Sequence, residues 1–254
     1  MDFNKYIQDF VSDEKYYGDK NFITNSQLGK LAHSPSKLEH YRRWGQDETN
    51  ALIFGRAFHQ NILEPDKYKE QVISYEGTRR GKVWEEFKEA NSNKTIITKG
   101  EEKSLIKMRE KLLSIPRATG LLMGGESEVV NCWEDSENGV YCKGKVDYIK
   151  EENGRKIIVD IKTTQDHTQR AFMGSALKYG YDRQSAFYLD GFDADEFWFI
   201  VIEKTAPYDI GIYMCGDDFV SSGRAKYQDL LNTYNHYFIK QDREINDYYI
   251  ESIL

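Results

Sequence analysis

The sequence predicts an α/β protein with a mixed central sheet, flanking helices and a helical N-terminal half. Three observations predict this class. Helical patterns dominate the residues before Glu126, three β-rich runs follow between Glu126 and Thr164, and two helical segments then precede two further strands. Short turns join antiparallel strands, whereas a helical crossover joins parallel ones, so the sheet is expected to contain both kinds of pairing.

The N-terminal half carries four stretches with helix signals. "SQLGKLAHSPSKLEHYRRW" opens with polar capping candidates, and Pro35 is expected to split it into two helices. "ALIFGRAFHQNILEP" is apolar on most sides, which predicts a buried helix that Pro65 ends. "RRGKVWEEFKEAN" and "GEEKSLIKMREKLLSI" predict amphipathic helices with one solvated face each.

The β-rich region predicts an antiparallel meander. Its runs are "ESEVVNCW", "GVYCKGKVDYIK" and "RKIIVDIKTT", separated by the turn signals "DSENG" and "EENG". A first hairpin that turns near Glu137 places Cys132 opposite Cys142. Three cysteines form a poor disulfide framework or zinc site, so free thiols are expected.

The C-terminal part predicts the crossover and the rest of the sheet. Helices are expected around "QRAFMGSALKYG" and "YDRQSAFYLDG", followed by strands in "DEFWFIVIEK" and "YDIGIYMC". A last helix is expected from about Asp217 to about Lys240. No linker composition interrupts the chain, so residues 1–254 are predicted to form a single domain.

Composition restricts the function. The chain has 39% hydrophobic and 30% charged residues, which is typical of a soluble globular protein. A net charge of −7 argues against electrostatic coating of DNA but permits a local basic patch and a bound cation. The N-terminus has no signal-peptide pattern, and no apolar run is long enough to span a membrane, so a cytoplasmic protein without membrane partners is expected.

One stretch, "GKVDYIKEENGRKIIVDIKTT", carries an unusual set of charges. Alternate residues of a strand point to opposite faces, so Asp160 and Lys162 share one face. A simple ion pair would explain these two residues. However, the "EENG" hairpin also brings Asp147 alongside Asp160, and two adjacent carboxylates favour a divalent cation. A cation and an ammonium together can support phosphodiester hydrolysis.

These residues resemble the PD-(D/E)XK nuclease superfamily, with Val146 in place of the usual proline. Four further stretches resemble the RecE-type (exonuclease VIII-like) exonucleases of phages and prophages: "ALIFGRAFHQNILEP", "RRGKVWEEF", "GESEVVNCWEDSENGVYCKGKVDYI" and "KYGYDRQSAFYLDG". The resemblance extends from about residue 22 to about residue 240. It implies a restriction-endonuclease-like core around the mixed sheet.

The resemblance also implies roles for individual residues. Asp147, Asp160 and Lys162 would be catalytic. His59, Asp147, Asp160 and the main-chain carbonyl of Ile161 would hold Mg²⁺, with Mn²⁺ as the alternative. Without the resemblance, a histidine on an apolar helix is more often a core residue with a local hydrogen bond.

Two nearby glutamates, Glu126 and Glu128, are further candidates for the same site. The register that pairs Cys132 with Cys142 points Glu128 away from Asp147 unless the ladder bulges near Gly144. Glu126 and Glu128 are therefore expected to lie outside the metal shell.

DNA contacts are expected from two groups of residues. Gln184 and Tyr188 are four residues apart on one helix face and resemble the Q-x-x-x-Y motif of RecB-like nucleases, which lies near the DNA. Arg79, Arg80 and Lys82 form the best candidate for a basic patch, although a solvated helix start is an equal alternative.

The expected activity is metal-dependent resection of linear double-stranded DNA ends, in the 5′→3′ direction, for single-strand-annealing recombination. The sequence has no G-x-x-x-x-G-K-[ST] loop, so ATP is not expected to be needed. The resemblance implies a homo-oligomeric ring and a single-strand annealing protein as partner in a bacterial host cell. The alternatives are a structure- or site-selective endonuclease of the same superfamily and a non-catalytic DNA-binding or assembly module.

Overall fold

The computed structural model describes residues 2–10 and 12–251. The predicted domain, 1–254, also includes residues 1, 11 and 252–254, which lie outside the described part. The helices of the described part are α1 (Phe3–Asp9), α2 (Asp13–Gly18), α3 (Asn25–Leu31), α4 (Pro35–Trp44), α5 (Asn50–Leu63), α6 (Pro65–Gln71), α7 (Lys82–Ala90), α8 (Lys99–Leu113), α9 (Pro116–Leu121), α10 (Gln169–Tyr179), α11 (Tyr181–Phe192) and α12 (Asp217–Tyr234). The strands are β1 (Val72–Tyr75), β2 (Thr95–Thr98), β3 (Gly125–Glu134), β4 (Tyr141–Glu152), β5 (Arg155–Thr164), β6 (Glu196–Glu203) and β7 (Ile210–Met214).

The main sheet contains five strands in the order β3-β4-β5-β6-β7. The β3, β4 and β5 strands form an antiparallel meander, and β6 and β7 are also antiparallel. The β5 and β6 strands are parallel because α10 and α11 carry the chain back across the sheet between them. The predicted mixed sheet is therefore confirmed.

Helices cover both faces of this sheet. On one face, α5, α8 and α9 pack their apolar side chains against β5 and β6, with Phe58, Met108 and Ile161 among the fully buried residues. On the other face, α3, α10, α11 and α12 pack around Phe187, Phe197 and other buried side chains. The α/β architecture with flanking helices matches the predicted class.

The predicted helix boundaries follow local signals. The α4 helix starts at Pro35, with the Ser34 side chain accepting a hydrogen bond from the Lys37 N–H group. The α5 helix ends at Leu63, just before Pro65. The α12 helix ends at Tyr234 and is followed by a π-helical turn over Asn235–Ile239, so the predicted helix from about 217 to about 240 is present. None of the described helices combines the length and the apolar character needed to cross a membrane.

The first hairpin differs from the prediction by one residue. Cys132 lies opposite Lys143, and Trp133 lies opposite Cys142. The Asp135 carboxylate accepts hydrogen bonds from the N–H groups of Glu137 and Asn138, which stabilises a longer turn than the sequence suggested. Because side chains alternate along a strand, this shift changes which residues face each other further along the ladder. All three cysteines are free thiols, as expected.

The sequence did not reveal two peripheral features. A parallel pair of four-residue strands, β1 and β2, lies among the N-terminal helices. A segment that we call the N-terminal arm, residues 2–22 with the exception of residue 11, contains α1 and α2 and contacts β3. Helices of six or seven residues are too short to be stable alone, so tertiary packing determines them.

Candidate active site

The β4 and β5 strands separate at the predicted carboxylates. Their paired residues run from Glu152 and Arg155 to Tyr148 and Val159, and Asp147 is the next residue of β4. Its Oδ2 atom accepts a hydrogen bond from the Ile161 N–H group at 3.0 Å. The Asp147 carboxylate thus replaces a main-chain carbonyl as the acceptor for the Ile161 N–H group. The hydrogen-bond ladder between β4 and β5 is interrupted there.

His59 approaches Asp147 from α5. Its Nδ1 atom lies 3.2 Å from Asp147 Oδ2. Ala57 and Phe58, the preceding residues, are fully buried against the sheet, which fixes the helix position, while His59 remains partly exposed. The structure therefore brings together two of the predicted metal ligands, one from the sheet and one from the helical half.

Glu128 joins these residues, contrary to the expectation from sequence. Its backbone has a φ of 55° and interrupts the β3–β4 pairing between Ser127 and Val129. One ligand atom each of His59, Glu128 and Asp147 lies within 4.8 Å of the others. The one-residue error in the Cys132–Cys142 register explains why Glu128 was expected to point away from Asp147, because the observed register places Glu128 across from Asp147.

Asp160 and Lys162 share one face of β5, as the alternation predicts. Lys162 Nζ lies 2.5 Å from Asp160 Oδ1, and the Gln184 amide donates a hydrogen bond to Asp160 Oδ2 at 2.6 Å. Lys162 also lies 5.0 Å from the centre of the Tyr181 ring. The Q-x-x-x-Y residue Gln184 thus contacts the predicted catalytic carboxylate directly.

The pKa values of the two aspartates are shifted in opposite directions. Burial raises the pKa of Asp160 to about 6, with Asp147 adding to the rise and Lys162 opposing it. Burial also disfavours the charged form of Asp147, but the charge and hydrogen bond of His59 outweigh it and lower the Asp147 pKa. Two neighbouring carboxylates with pKa values moved in opposite directions are typical of a functional pair.

The neighbouring carboxylates favour the charged forms of the two basic groups of the site. Burial alone lowers the pKa of Lys162, but the Asp160 and Asp147 charges outweigh it, so the net pKa is raised. Burial likewise lowers the pKa of His59, whereas the charge and hydrogen bond of Asp147 raise it above its ordinary value.

The donor set fits a hard divalent cation. Carboxylate oxygens and one imidazole are ligands that Mg²⁺ and Mn²⁺ accept. Asp160 Oδ1 is buried and faces the Lys162 ammonium at 2.5 Å, so a cation at Asp160 would bind next to that ammonium. The Ile161 N–H group bonds to Asp147, and the predicted ligand role of its carbonyl remains a prediction.

A cleft of about 410 Å³ opens onto these residues. His59, Glu128, Asp147 and the predicted DNA contact Tyr188 all line it. Four basic residues also line it: Arg56, Lys67, Lys143 and Lys145.

Arg79, Arg80 and Lys82 are absent from the lining of this cleft. Arg79 donates a hydrogen bond to the Ile96 carbonyl at 3.0 Å and lies 3.6 Å from Glu101. Lys82 lies at the start of α7, 3.7 Å from Glu86. The arrangement favours the solvated helix start over the basic patch, and a DNA-binding role for these three residues remains a prediction.

Sequence reasoning missed Lys145 as well as Glu128. Lys145 Nζ lies 3.0 Å from Glu128 Oε2 and lines the cleft. It precedes Asp147 by two residues in β4, so the strand alternation placed both on one face and could have identified it.

Comparison with known proteins identifies a family for this chain. Residues 25–246 match a family model described as a PDDEXK-like domain of unknown function (DUF3799). Comparison with curated protein sequences finds no significant match. The match to the family model confirms the resemblance to the PD-(D/E)XK superfamily.

One solved structure shows the same fold. A crystal structure from Eubacterium rectale, described as a candidate exonuclease, superposes with a TM-score of 0.62 at 15% identity and 96% coverage of both chains. A phage-related exonuclease from Haemophilus somnus 129PT is less similar, with a TM-score of 0.38, 16% identity, and 87% coverage of this chain and 96% of that one. The first likeness supports the fold, and the second is too low to support an argument. The family match covers most of the chain, which therefore belongs to the PDDEXK-like family DUF3799.

Proposed function

We propose that the protein is a metal-dependent, ATP-independent nuclease that resects the ends of linear double-stranded DNA, in the 5′→3′ direction, for single-strand-annealing recombination. One observation carries the nuclease part of this proposal. Asp147, Asp160 and Lys162 converge where β4 and β5 separate, and His59 and Glu128 complete an acidic site beside a cleft.

The residues that would hold the cation are His59, Glu128, Asp147 and Asp160, together with the Ile161 carbonyl. When bound, a divalent cation polarises the scissile phosphate and lowers the pKa of a water molecule. The protein contributes a partly buried, acidic site whose ligands come from three strands and one helix.

Lys162 would act next to these ligands. Its side chain is 18% exposed and its ammonium is held by Asp160, so the ammonium can donate hydrogen bonds to a phosphate oxygen or to the attacking water. Because the net pKa of Lys162 is raised, it remains charged and stabilises negative charge rather than removing a proton. The Tyr181 ring, 5.0 Å away, restricts where this ammonium can move.

Gln184 and Tyr188 would position the reacting strand. Gln184 orients Asp160 through a 2.6 Å hydrogen bond, and Tyr188 lines the cleft one helical turn further along α11. An amide and a phenol can contact phosphate and sugar without reading base sequence, which suits a nuclease that digests any sequence.

The preference for ends and the biological role rest on the resemblance to RecE-type exonucleases. The description of the Eubacterium rectale structure as a candidate exonuclease agrees with it. The same resemblance is the basis for proposing a homo-oligomeric ring and a single-strand annealing partner.

The test is digestion of matched DNA substrates in Mg²⁺ without ATP. Linear duplexes carry a label at either the 5′ or the 3′ ends, and a covalently closed circle of the same sequence has no ends. We expect loss of the 5′ label from the linear duplex and an intact circle, with Ca²⁺ supporting binding but no turnover. Rapid cutting of the circle would instead identify an endonuclease, and binding without any cutting would identify a non-catalytic module.

A further inference from the structure

The N-terminal arm forms one wall of the cleft. Ile23, which follows the arm, pairs with β4 through two main-chain hydrogen bonds, from Ile23 N–H to Tyr141 O at 2.9 Å and from Lys143 N–H to Ile23 O at 3.0 Å. Phe10, Tyr16 and Phe22 are buried in an aromatic cluster with Cys132 of β3. The wall is therefore built on the sheet that carries Asp147.

Lys143 of β4 holds the N-terminal arm against the sheet. Its side chain is 1% exposed, and Nζ donates hydrogen bonds to the carbonyls of Tyr16 at 2.5 Å and Asp19 at 3.3 Å. The ammonium also lies 4.3 Å from the centre of the Phe10 ring. Because a buried lysine holds the main chain on both sides of Tyr17, the position of Tyr17 on the cleft is well defined.

Tyr17 presents a large ring to the solvent at this wall. It is 65% exposed and lines the same cleft as His59 and Asp147. The Tyr16 ring, only 5% exposed, packs against it edge to face, with centres 5.1 Å apart at 89°. A rigid neighbouring ring keeps an exposed aromatic side chain in place at low entropic cost.

The ring is close to the proposed catalytic residues. Lys145 Nζ lies 5.7 Å from the centre of the Tyr17 ring and 3.0 Å from Glu128 Oε2. Glu128 belongs to the group with His59 and Asp147. Successive nucleotides of a duplex strand are about 3.4 Å apart along the helix axis. The path from the Tyr17 ring through Lys145 Nζ to Glu128 therefore spans the length of one or a few nucleotides.

We propose that Tyr17 is a stacking platform for an unpaired base of the strand that enters the cleft, so that the site takes a single-stranded end rather than intact duplex. This inference rests on the proposed DNA substrate. Stacking on an aromatic ring tolerates every base because each base has a π face, and Lys145 beside the ring provides a positive charge for the adjoining phosphate. The chemical class recognised is a nucleobase with its 5′ or 3′ phosphate at a frayed DNA end.

The experiment measures stacking without turnover. The 254-residue chain in Ca²⁺ is titrated into linear duplexes that carry fluorescent 2-aminopurine at the terminal nucleotide of either strand. A covalently closed circular duplex, which has neither ends nor loops, is the substrate control. Tyr17→Ala removes the ring, Tyr17→Phe keeps it, and Tyr249→Ala is the matched control because Tyr249 is 77% exposed and does not line the cleft.

Wild type, Tyr17→Phe and Tyr249→Ala are expected to quench the 2-aminopurine at one of the two ends. Tyr17→Ala is expected to lose this quenching and to bind the open duplex about 5- to 100-fold more weakly, with unchanged affinity for the closed duplex. Unchanged quenching by Tyr17→Ala would overturn the inference, as would a Tyr17→Phe variant that behaves like Tyr17→Ala. Melting curves identify any variant that is misfolded.

The two proposals can fail separately. A wild-type protein that quenches the terminal base but never cuts DNA in Mg²⁺ would contradict the nuclease proposal and support the stacking platform. A protein that cuts linear DNA normally with and without the Tyr17 ring, and never quenches the terminal base, would contradict only the stacking platform.

Discussion

Two buried lysines on neighbouring strands, Lys143 and Lys162, differ in the partners that stabilise their charge. Lys143 on β4 has two carbonyl acceptors, and the nearest carboxylate oxygen, Asp19 Oδ1, lies 3.6 Å away. Lys162 on β5 lies 2.5 Å from Asp160, and Asp147 also acts on it. Burial dominates at Lys143 and lowers its pKa, whereas the carboxylates dominate at Lys162 and raise its pKa.

This difference separates a structural lysine from a candidate catalytic one. Lys143 forms hydrogen bonds that close the arm onto the sheet, and within the described residues it forms no ion pair with a carboxylate of the proposed metal site. Lys162 lies among groups whose charges would change when a cation and a phosphate bind. Burial of a charge is therefore a poor indicator of catalysis, and the identity of the partners is a better one.

The largest effect is expected from Asp160→Asn. The substitution removes a ligand charge, so calorimetric Ca²⁺ binding should fall by more than tenfold, and cleavage in Mg²⁺ should fall about a thousandfold or more. Asp218→Asn is the control because Asp218 is exposed at the start of α12. Normal metal binding by Asp160→Asn would remove Asp160 from the metal site.

A smaller effect is expected from His59→Ala. Loss of one ligand should weaken Mg²⁺-dependent cleavage about 10- to 100-fold, with less effect on DNA binding and partial rescue by Mn²⁺, which accepts nitrogen ligands and irregular geometry more readily. The matched control is His40→Ala, at an exposed histidine of α4. A strongly lowered melting temperature with an unchanged metal response would instead show that His59 is only a core residue.

Metal affinity should rise with pH through about 6. Below that pH, Asp160 with its pKa of about 6 binds a proton that a cation must displace, and the raised pKa of His59 adds to this competition. Ca²⁺ affinity should therefore increase by up to about tenfold per pH unit for each proton released and level off once both groups are deprotonated. Calorimetry at several pH values between 5 and 8 tests this, and a flat profile would contradict the protonation of the site.

The smallest effect on the acidic site is expected from Lys143→Met. The variant leaves the carbonyls of Tyr16 and Asp19 without their buried donor, which should cost roughly 1–3 kcal/mol of stability. The melting temperature should fall and proteases should cut the arm faster, whereas Ca²⁺ affinity at the acidic site should change little. Weakened Ca²⁺ binding at normal stability would place Lys143 in the functional site instead.

The sequence predicted those parts of the site that depend on strand alternation. Asp160 and Lys162 share a face because they are two residues apart in one strand, and the short "EENG" turn brings Asp147 next to Asp160. His59 could be proposed only through the family resemblance, because its partner Asp147 lies far away in the chain.

The remaining features depend on tertiary contacts. Glu128 was excluded because a turn stabilised by Asp135 shifts the hairpin by one residue, and turn length is hard to infer from polar residues alone. The arm consists of short helices that require the aromatic cluster on β3. Arg79 carries the positive charge expected of a DNA contact, yet its guanidinium donates a hydrogen bond to the Ile96 carbonyl. The charge of a side chain alone does not show which partner it binds.

Single-turnover cleavage by Lys162→Met tests the proposed chemistry most directly. Methionine keeps much of the side-chain stem, so the variant is expected to fold and to bind saturating linear duplex and Ca²⁺ nearly as wild type does. If Lys162 stabilises charge in the transition state, cleavage in Mg²⁺ should fall about a hundredfold or more. Near-normal cleavage by Lys162→Met would contradict the proposed mechanism and leave the lysine as a simple ion-pair partner of Asp160.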